Sequence, residues 1–463
     1  MQWTVRLEAR TSRGEVETTE LVTISRPAVA DTFVDVGLAL SEAKALLAKL
    51  QESMVCSQVA EHATCRRICP ECEVLRPLKD RRRRRLQTLF GTVEVEAPRF
   101  RVCRCRPSAS MAGVTFSPVC ELLSARCTPE LERVQAELGA RTSFREAARI
   151  LAALLPASAT NHASVRHRTH ALALRIEATD RQAAAEAATV QGGPGKAARV
   201  DASRPIVMLD GAHVRAVPGH QTRTFEVVCG KVEREGCLSR RFALVRRVAE
   251  RPHALLRAAL LDQGWREGEP VTAISDGDPA LPALVHSAAK VPVEHILDWF
   301  HLSMRVRHVE QAQLGLYALD PTHRAPLDRA RVDVERLRHL LWNGHHDEAS
   351  EALGRIANRI ETAALANGTT IEGKARRLIT LCRELHTYIG NNEGALIDYG
   401  RRYRAGKPVS SSRAEGTVNH LVNARMNKRR QMRWSPQGAH RVLQVRAAML
   451  DGRLGQYAAQ LAA

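Results

Sequence analysis

The sequence predicts an α+β multidomain protein: a small cysteine-paired module and a helix pair, followed by an α/β core that an all-helical insertion interrupts. Three observations carry this prediction. Four cysteines stand in two close pairs, Cys69-Pro70-Glu71-Cys72 and Cys103-Arg104-Cys105. The hydrophobic pattern switches from helical to strand-like at Pro205, just after a loose stretch centred on Gly192-Gly193-Pro194-Gly195. Helical spacing then dominates from Leu302 to the end. The resulting division is 1–64 as an N-terminal α+β lead-in, 65–127 as the cysteine module, 128–185 as a helical domain, and 186–204 as a linker. Segments 205–301 and 409–435 form the α/β core, 302–408 the helical insertion and 436–463 a C-terminal helix, which Ser435 caps and Pro436 opens.

Composition narrows the partners. The chain of 463 residues carries 69 Lys and Arg against 50 Asp and Glu, a net charge of +19. A chain this basic is expected to have a polyanionic partner, and nucleic acid is the default. No stretch reaches the roughly 18–20 apolar residues that span a bilayer. The start, Met1-Gln2-Trp3-Thr4-Val5-Arg6, has no secretory apolar core, so a cytoplasmic location without membrane contact is expected. Eleven cysteines, an odd number, argue against a disulfide framework in that compartment.

In the lead-in, Val5–Glu8 and Val16–Ile24 alternate like strands, and Leu38–Met54 has helical spacing. The cysteine pairs then form a zinc-ribbon candidate, since zinc takes four soft ligands that two tight cysteine turns supply: Cys69, Cys72, Cys103 and Cys105. Cys65 is an alternative ligand for the weaker pair. Between the pairs, Leu86–Arg101 reads as a hairpin punctuated by Gly91 and Pro98. Its few large apolar residues predict a thin core that a structural metal would support. Arg81, Arg82, Arg83, Arg84 and Arg85 form a solid cationic block, read as a phosphate contact.

Ser143-Phe144-Arg145-Glu146 is a capping box. Phe144, Ala147, Ala148, Leu151, Leu154 and Leu155 follow at helical spacing, Pro156 ends the run, and a second helix is predicted over His162–Ile176. With Arg166 and Arg168 on that second helix, the pair is a helix-turn-helix candidate able to enter a major groove.

Ile206-Val207-Met208-Leu209 reads as a buried strand ending at Asp210-Gly211, and Val271–Ser275 as another ending at Asp276-Gly277-Asp278. Strands over Thr224–Glu233 and Arg241–Ala249 and a helix over His253–Gln263 lie between them. A single Asp-Gly is ordinarily turn chemistry; two at strand ends, bracketing β-β-α, point to a pair of fixed carboxylates. The third is Glu415, the single acid among ten Lys and Arg from Arg401 to Arg433. A helix over Ala414–Met426 places Glu415, Val418, Val422 and Met426 on one face. An inward carboxylate there requires a cation, either a metal or an internal pair with Arg425. Three inward carboxylates in a basic chain suggest a two-metal phosphoryl-transfer site holding two magnesium or manganese ions.

These stretches together resemble bacterial insertion-sequence transposases of the ISKra family, relatives of the Mutator-like DDE group. The match rests on the cysteine-paired segment with Leu89-Phe90-Gly91-Thr92-Val93, on Leu209-Asp210-Gly211, and on Ser275-Asp276-Gly277 followed by Asp298-Trp299-Phe300-His301. It extends to Glu415 with Ala424-Arg425-Met426-Asn427-Lys428 and Met432-Arg433-Trp434-Ser435. Ala414 and Gly416 depart from the residues that flank the last acid in relatives. The resemblance implies an RNase H-like catalytic core with a helical insertion before the last acid, and cleavage and strand transfer at transposon ends. Asp210, Asp276 and Glu415 match the family's acids. Asp298 and His301 match the Asp/Cys-x-x-His motif, with His301 either near the scissile phosphate or satisfying the core. The implied partners are double-stranded DNA, both transposon ends and target, and further copies of the chain in a homo-oligomer on that DNA. Arg425, Lys428, Arg429, Arg430 and Arg433 are expected to track phosphates. Two other readings remain open at this point: a non-catalytic DNA-binding repressor derived from a transposase, and a structure-selective nuclease of the same fold.

Overall fold

The computed structural model describes the chain apart from residues 30–31, 34–35, 104, 106–113, 157–159, 190–202, 318–323, 367–372, 412–415, 428–431 and 460–463. The linker glycines, Glu415, Lys428, Arg429 and Arg430 thus lie outside the described residues. The protein is a mixed α/β chain in two units, Met1–Ala173 with Arg453–Ala463, and Leu174–Gly452.

In the first unit, β1 (Gln2–Arg10) and β2 (Val16–Ser25) form an antiparallel hairpin. Helix α1 (Leu40–Arg67) runs thirteen residues past the predicted end at Met54, because Val55, Val59 and Ala63 continue an apolar residue every fourth position. Those three residues pack on Leu86, Val93, Val95 and Ala97 of a second hairpin, β3 (Leu78–Thr88) and β4 (Gly91–Arg101). The expected hairpin therefore begins at Leu78, eight residues before the predicted Leu86, and the arginine block is part of β3. Strand β5 (Thr115–Phe116) extends the sheet, and α2 (Pro118–Leu122) follows.

Helices α3 (Pro129–Arg141), α4 (Phe144–Leu154) and α5 (His162–Thr189) come next. The hydroxyl of Ser143 caps α4 by accepting the Glu146 amide at 3.1 Å, as the capping box predicts. Asn161 does the same for α5 through the Ser164 amide at 2.8 Å. Gly139 lets α3 approach α5 closely: a Cβ there would stand 2.6 Å from Thr169 Oγ1. Helix α5 is longer than the expected 162–176 and crosses the division between the units.

The second unit is built on a five-stranded sheet of order β10-β9-β6-β7-β8. Strands β6 (Ile206–Arg215), β7 (Thr224–Glu233) and β8 (Arg240–Leu244) are antiparallel neighbours, whereas β9 (Val271–Ser275) runs parallel to β6 and β10 (Val293–Leu297) parallel to β9. Helices α6 (Pro252–Asp262) and α7 (Ala280–Ala289) cover one face, burying Val207, Leu209, Val228 and Leu244 against Leu256, Leu260 and Val285. The opposite face carries Met208, Ile274 and Ile296. Against it pack α8 (Trp299–Tyr317), α9 (Arg324–Trp342), α10 (His346–Ala366), α11 (Gly373–Asn391) and α12 (Tyr399–Arg404), joined through Leu302, Val306, Leu337, Ile356 and Leu385.

Past α12 the chain returns to the sheet. Helix α13 (Pro436–Leu450) is capped by Ser435, whose hydroxyl accepts the Gly438 amide at 3.1 Å, with Pro436 in the first turn as expected. Gln444 on α13 donates to the Ala243 carbonyl of β8 at 2.7 Å. The guanidinium of Arg240, 3% exposed, is paired by Asp180, Asp262 and Asp451, which ties α5, α6 and the end of α13 to β8. Helix α14 (Leu454–Ala459) ends the described chain. No helix among the described residues is long and apolar enough to cross a membrane.

Candidate active site and metal centre

Three carboxylates line up across the sheet. In β6 and β9, Ile206, Val207 and Met208 face Thr272, Ala273 and Ile274 in parallel register. Continuing that register by two positions sets Asp210 opposite Asp276. The β10–β9 register, which sets Leu297 opposite Ser275, likewise sets Asp298 beside Asp276. Side chains two apart on a strand share a face, so Asp210 follows Met208 onto the face that the helical segment covers; Asp276 and Asp298 stand one residue past the ends of β9 and β10, and the charges of both act on Asp210. Adjacent strands are about 4.8 Å apart, which brings the three acids into one row.

One expectation is corrected here. Strand β6 does not end at Asp210-Gly211; it continues to Arg215, because β7 pairs with it through Arg215↔Thr224. What stops near Asp210 is the neighbour β9. The carboxylate therefore stands on a continuous strand where the parallel half of the sheet gives out. Neither Asp-Gly glycine has positive φ. Gly277 is required by close approach instead, since a Cβ there would stand 2.8 Å from both Tyr388 and Asn392. Asp276 also serves its turn, accepting the Asp278 amide at 3.1 Å.

The electrostatics single out Asp210. Asp210 is 8% exposed. Burial pushes its carboxyl up to about 6; the nearby His301 works against this, and the charges of Asp276 and Asp298 add to it. His301 Nε2 stands 3.8 Å from Asp210 and 3.6 Å from Asp298, so it faces the acid row. Asp298 itself is fully buried and satisfied. It accepts the Phe300 and Ser411 amides, both at 2.9 Å, and the Ser411 hydroxyl.

The segment that carries the third predicted acid is pinned on both sides of the undescribed stretch. Ser411 is held by Asp298. Downstream, Asn427 donates to the His213 carbonyl of β6 at 2.7 Å, and Trp434 bridges to Ala216. Val418, Val422 and Met426 are buried as the helical-face argument expected. The helix is not regular, however: Asn419–Asn423 is π-helical, a widening that recurs at functional sites.

Sequence reasoning missed several neighbours of the row. Tyr388 and Arg305 stand together near Asp276, with the guanidinium 4.0 Å from the Tyr388 ring centre; burial, and secondarily the charge of Asp276, raise the Tyr388 hydroxyl. Arg246 reaches Asp278 at 3.6 Å and Glu226 at 3.9 Å. These contacts join positions far apart in the chain and leave no local signature.

The cysteine tetrad is assembled. The sulfurs of Cys69, Cys72, Cys103 and Cys105 all lie within 4.8 Å of one another, with Cys69–Cys105 at 3.6 Å and Cys72–Cys103 at 3.2 Å. Zinc–sulfur bonds of about 2.3 Å imply a sulfur–sulfur edge near 3.8 Å, so the four could hold a metal such as zinc. The Glu71 and Cys72 amides point at the Cys69 sulfur and bring its thiol down to about 6. Its partner Cys105 is pushed up to about 12, chiefly by Cys103, as expected where four sulfurs share too little positive charge. Glu73, with φ 56, turns the knuckle, and the Ile68↔Leu75 bridge closes it. Cys65 lies in α1 and reaches Glu61 rather than the tetrad. Among the described residues, no second group of three or more His, Cys, Asp or Glu ligand atoms comes this close. The acid row is thus a looser arrangement, with Asp298 turned toward Ser411.

The basic residues divide. Arg81, Arg83 and Arg85 project from one face of β3 and pair across the hairpin with Glu94 and Glu96, which removes part of the block's free charge. Arg166 is exposed, whereas Arg168 turns inward to Gln135 and Gln87. Arg433 is exposed. Arg425 is corrected: it is fully buried, with its guanidinium 4.8 Å from the Trp434 ring centre, and is placed to hold the core instead of tracking phosphate.

No protein-family model matches the chain, and no curated protein is significantly similar to it in sequence.

Proposed function

We propose that the protein is a DDE-type DNA transposase with an RNase H-like core, binding transposon terminal repeats and carrying out metal-dependent strand cleavage and strand transfer. The single observation that carries this reading is that Asp210, in β6, and Asp276, one residue past the end of the adjacent parallel strand β9, are close enough for the charge of Asp276 to act on Asp210. The sequence resemblance to ISKra-family transposases and the net charge of +19 support it further.

In this reading Asp210 and Asp276 would hold divalent ions, magnesium or manganese, with Glu415 as the third acid. An oxygen-only donor set suits these cations, and the desolvated Asp210 beside another acid gains most from one. When bound, such ions activate the attacking oxygen and stabilise the leaving oxygen. His301, at 3.8 Å from Asp210, keeps a donor on the rim of the row. Asp298 holds Ser411, and with it the entry to the Glu415 segment. The cysteine tetrad would carry structural zinc in the DNA-binding front end, with α4 and α5 as the helix-turn-helix. Double-stranded DNA is the proposed partner, engaged by a homo-oligomer.

The test is strand nicking of terminal-repeat DNA with magnesium, comparing the full chain with Asp210→Ala and Asp276→Ala. Loss of at least about a hundredfold in both variants is expected, since a metal site contributes several kcal/mol to phosphoryl transfer. Equal cleavage by all three proteins would overturn the reading.

A further inference from the structure

Two cavities on the helical segment of the second unit have no part in the site described above. One, of about 600 Å³, is lined by Tyr403, Arg404, Lys407, Pro408, Val409 and Ser410. The other, of about 430 Å³, is lined by Trp299, Glu335, Arg338, His339 and Trp342. The rings of Trp342 and Tyr403 are 5.8 Å apart and those of Trp299 and Trp342 4.8 Å apart, so one aromatic run connects the two. The whole chain has only five Trp and five Tyr, and two of each, with Tyr399 one of them, stand in this cluster. Tyr399 serves the core: it is buried and donates to the Leu297 carbonyl at 2.9 Å. Tyr403 is 64% exposed. Arg404 and Lys407 beside it are also exposed.

The first cavity is joined through the backbone to the Asp298 end of the acid row. The carbonyl of its lining residue Val409 accepts the Trp299 amide at 3.2 Å, one residue past Asp298. Ser410 is next to Ser411, which donates to Asp298. Both volumes fall in the range of about 300–1,000 Å³ that small ligands occupy. An exposed aromatic face next to two cations matches a nucleotide, with the base on the ring and the phosphates on the cations. Inside a duplex both faces of a base are covered by its neighbours, so a base lying on Tyr403 must come from outside the helical stack, as an unpaired base at a strand end does.

Taking the reading of the acid row as a DNA-cleaving centre as given, we infer that the cavity takes an unpaired nucleotide of a DNA strand, with its base stacked on Tyr403 and its flanking phosphates on Arg404 and Lys407. The face would thereby hold a strand end opened next to the scissile bond.

The experiment is fluorescence anisotropy with the full chain in chelator-free buffer without magnesium or manganese, where nothing is cleaved and zinc stays bound. It compares a blunt duplex with the same duplex carrying a short single-stranded overhang. The wild type is expected to bind the overhang duplex more tightly. Tyr403→Ala is expected to weaken that binding about tenfold, within the stacking contribution of one base, and to leave the blunt duplex unchanged. Tyr403→Phe keeps the ring and is expected to keep the affinity, which separates stacking from loss of the hydroxyl. Wild-type overhang binding by Tyr403→Ala, or equal losses on both duplexes, would overturn the inference. Displacement of the overhang by dAMP alone at comparable concentration would overturn the strand assignment in favour of a free nucleotide. Because cleavage is not read, Tyr403-dependent overhang binding by a chain that nicks no DNA would overturn the proposed function, and with it the placement beside a scissile bond, and leave the unpaired-nucleotide site standing.

Discussion

Asp210 lies in β6 and Asp276 one residue past the end of the adjacent parallel strand β9, each two residues beyond a buried apolar residue of the same core, Met208 and Ile274. Burial disfavours the charge on Asp210, and the nearby charge of Asp276 adds to that penalty. The arrangement costs stability unless a cation is shared between them.

That cost is measurable. Burial raises Asp210 from 3.8 to about 6, so its protonated form is favoured in the folded state. A raised folded-state value contributes stability that is fully present below the unfolded value and is lost as pH rises through about 6. Without added magnesium or manganese, and without chelator, the melting temperature is expected to fall between pH 4 and pH 7, by the equivalent of at most about 3 kcal/mol from this group. Asp210→Asn is expected to flatten that part of the profile, and magnesium to restore stability above pH 6 in the wild type only. Thermal denaturation across pH checks all three.

Asp298 and Ser411 form the second relationship to test. Asp298→Ala leaves the Phe300 and Ser411 amides buried without an acceptor and is expected to cost about 2–4 kcal/mol. Asn retains an oxygen where both amides point, and Asp298→Asn is expected to cost less than about 1.5 kcal/mol. Urea denaturation of the two variants reads the difference; equal losses would show that the carboxylate charge, and not its acceptor geometry, holds Ser411.

Elemental analysis of the purified chain is expected to find about one zinc, lost in the double variant Cys69→Ser with Cys72→Ser. The hairpin packs on α1 through Val55, Val59, Val93 and Val95, away from the tetrad. Zinc removal is therefore expected to loosen the knuckle without unfolding the unit. Hydrogen exchange should rise around residues 68–75 and stay low in β4.

Arg425 separates a core role from a surface role. Arg425→Ala removes a fully buried guanidinium from above Trp434 and is expected to destabilise the chain by about 3 kcal/mol. Exposed Arg433→Ala is expected to leave stability unchanged and to lower DNA affinity, with a shallower dependence on salt. Melting curves and binding at two salt concentrations distinguish them.

Much of the fold was legible where its signals are local. Strand β7 has the predicted bounds, α6 and β9 differ from expectation by a residue at most, and both serine caps formed. The tetrad was legible because metal-ligand spacing is written in the chain itself. The failures have a common physical cause. The continuation of β6 depends on β7, and the length of α1 and the strand conformation of Arg81–Arg85 depend on their packing together. Partners distant in sequence decide those features. Asp298 matched a motif, yet its union with Ser411 spans 113 positions and no local pattern announces it. The inward face of Val418, Val422 and Met426 was readable, but the π-helical turn within it was not, since periodicity assumes a regular helix.

The central claim is that Asp210 and Asp276 share a divalent cation. Crystals grown with manganese and measured for its anomalous scattering test it most directly. The account predicts a peak within ligand distance of both carboxylates, about 2.2 Å from each oxygen that binds, and none in Asp210→Asn. A map with no manganese between them at a concentration that supports nicking would contradict it.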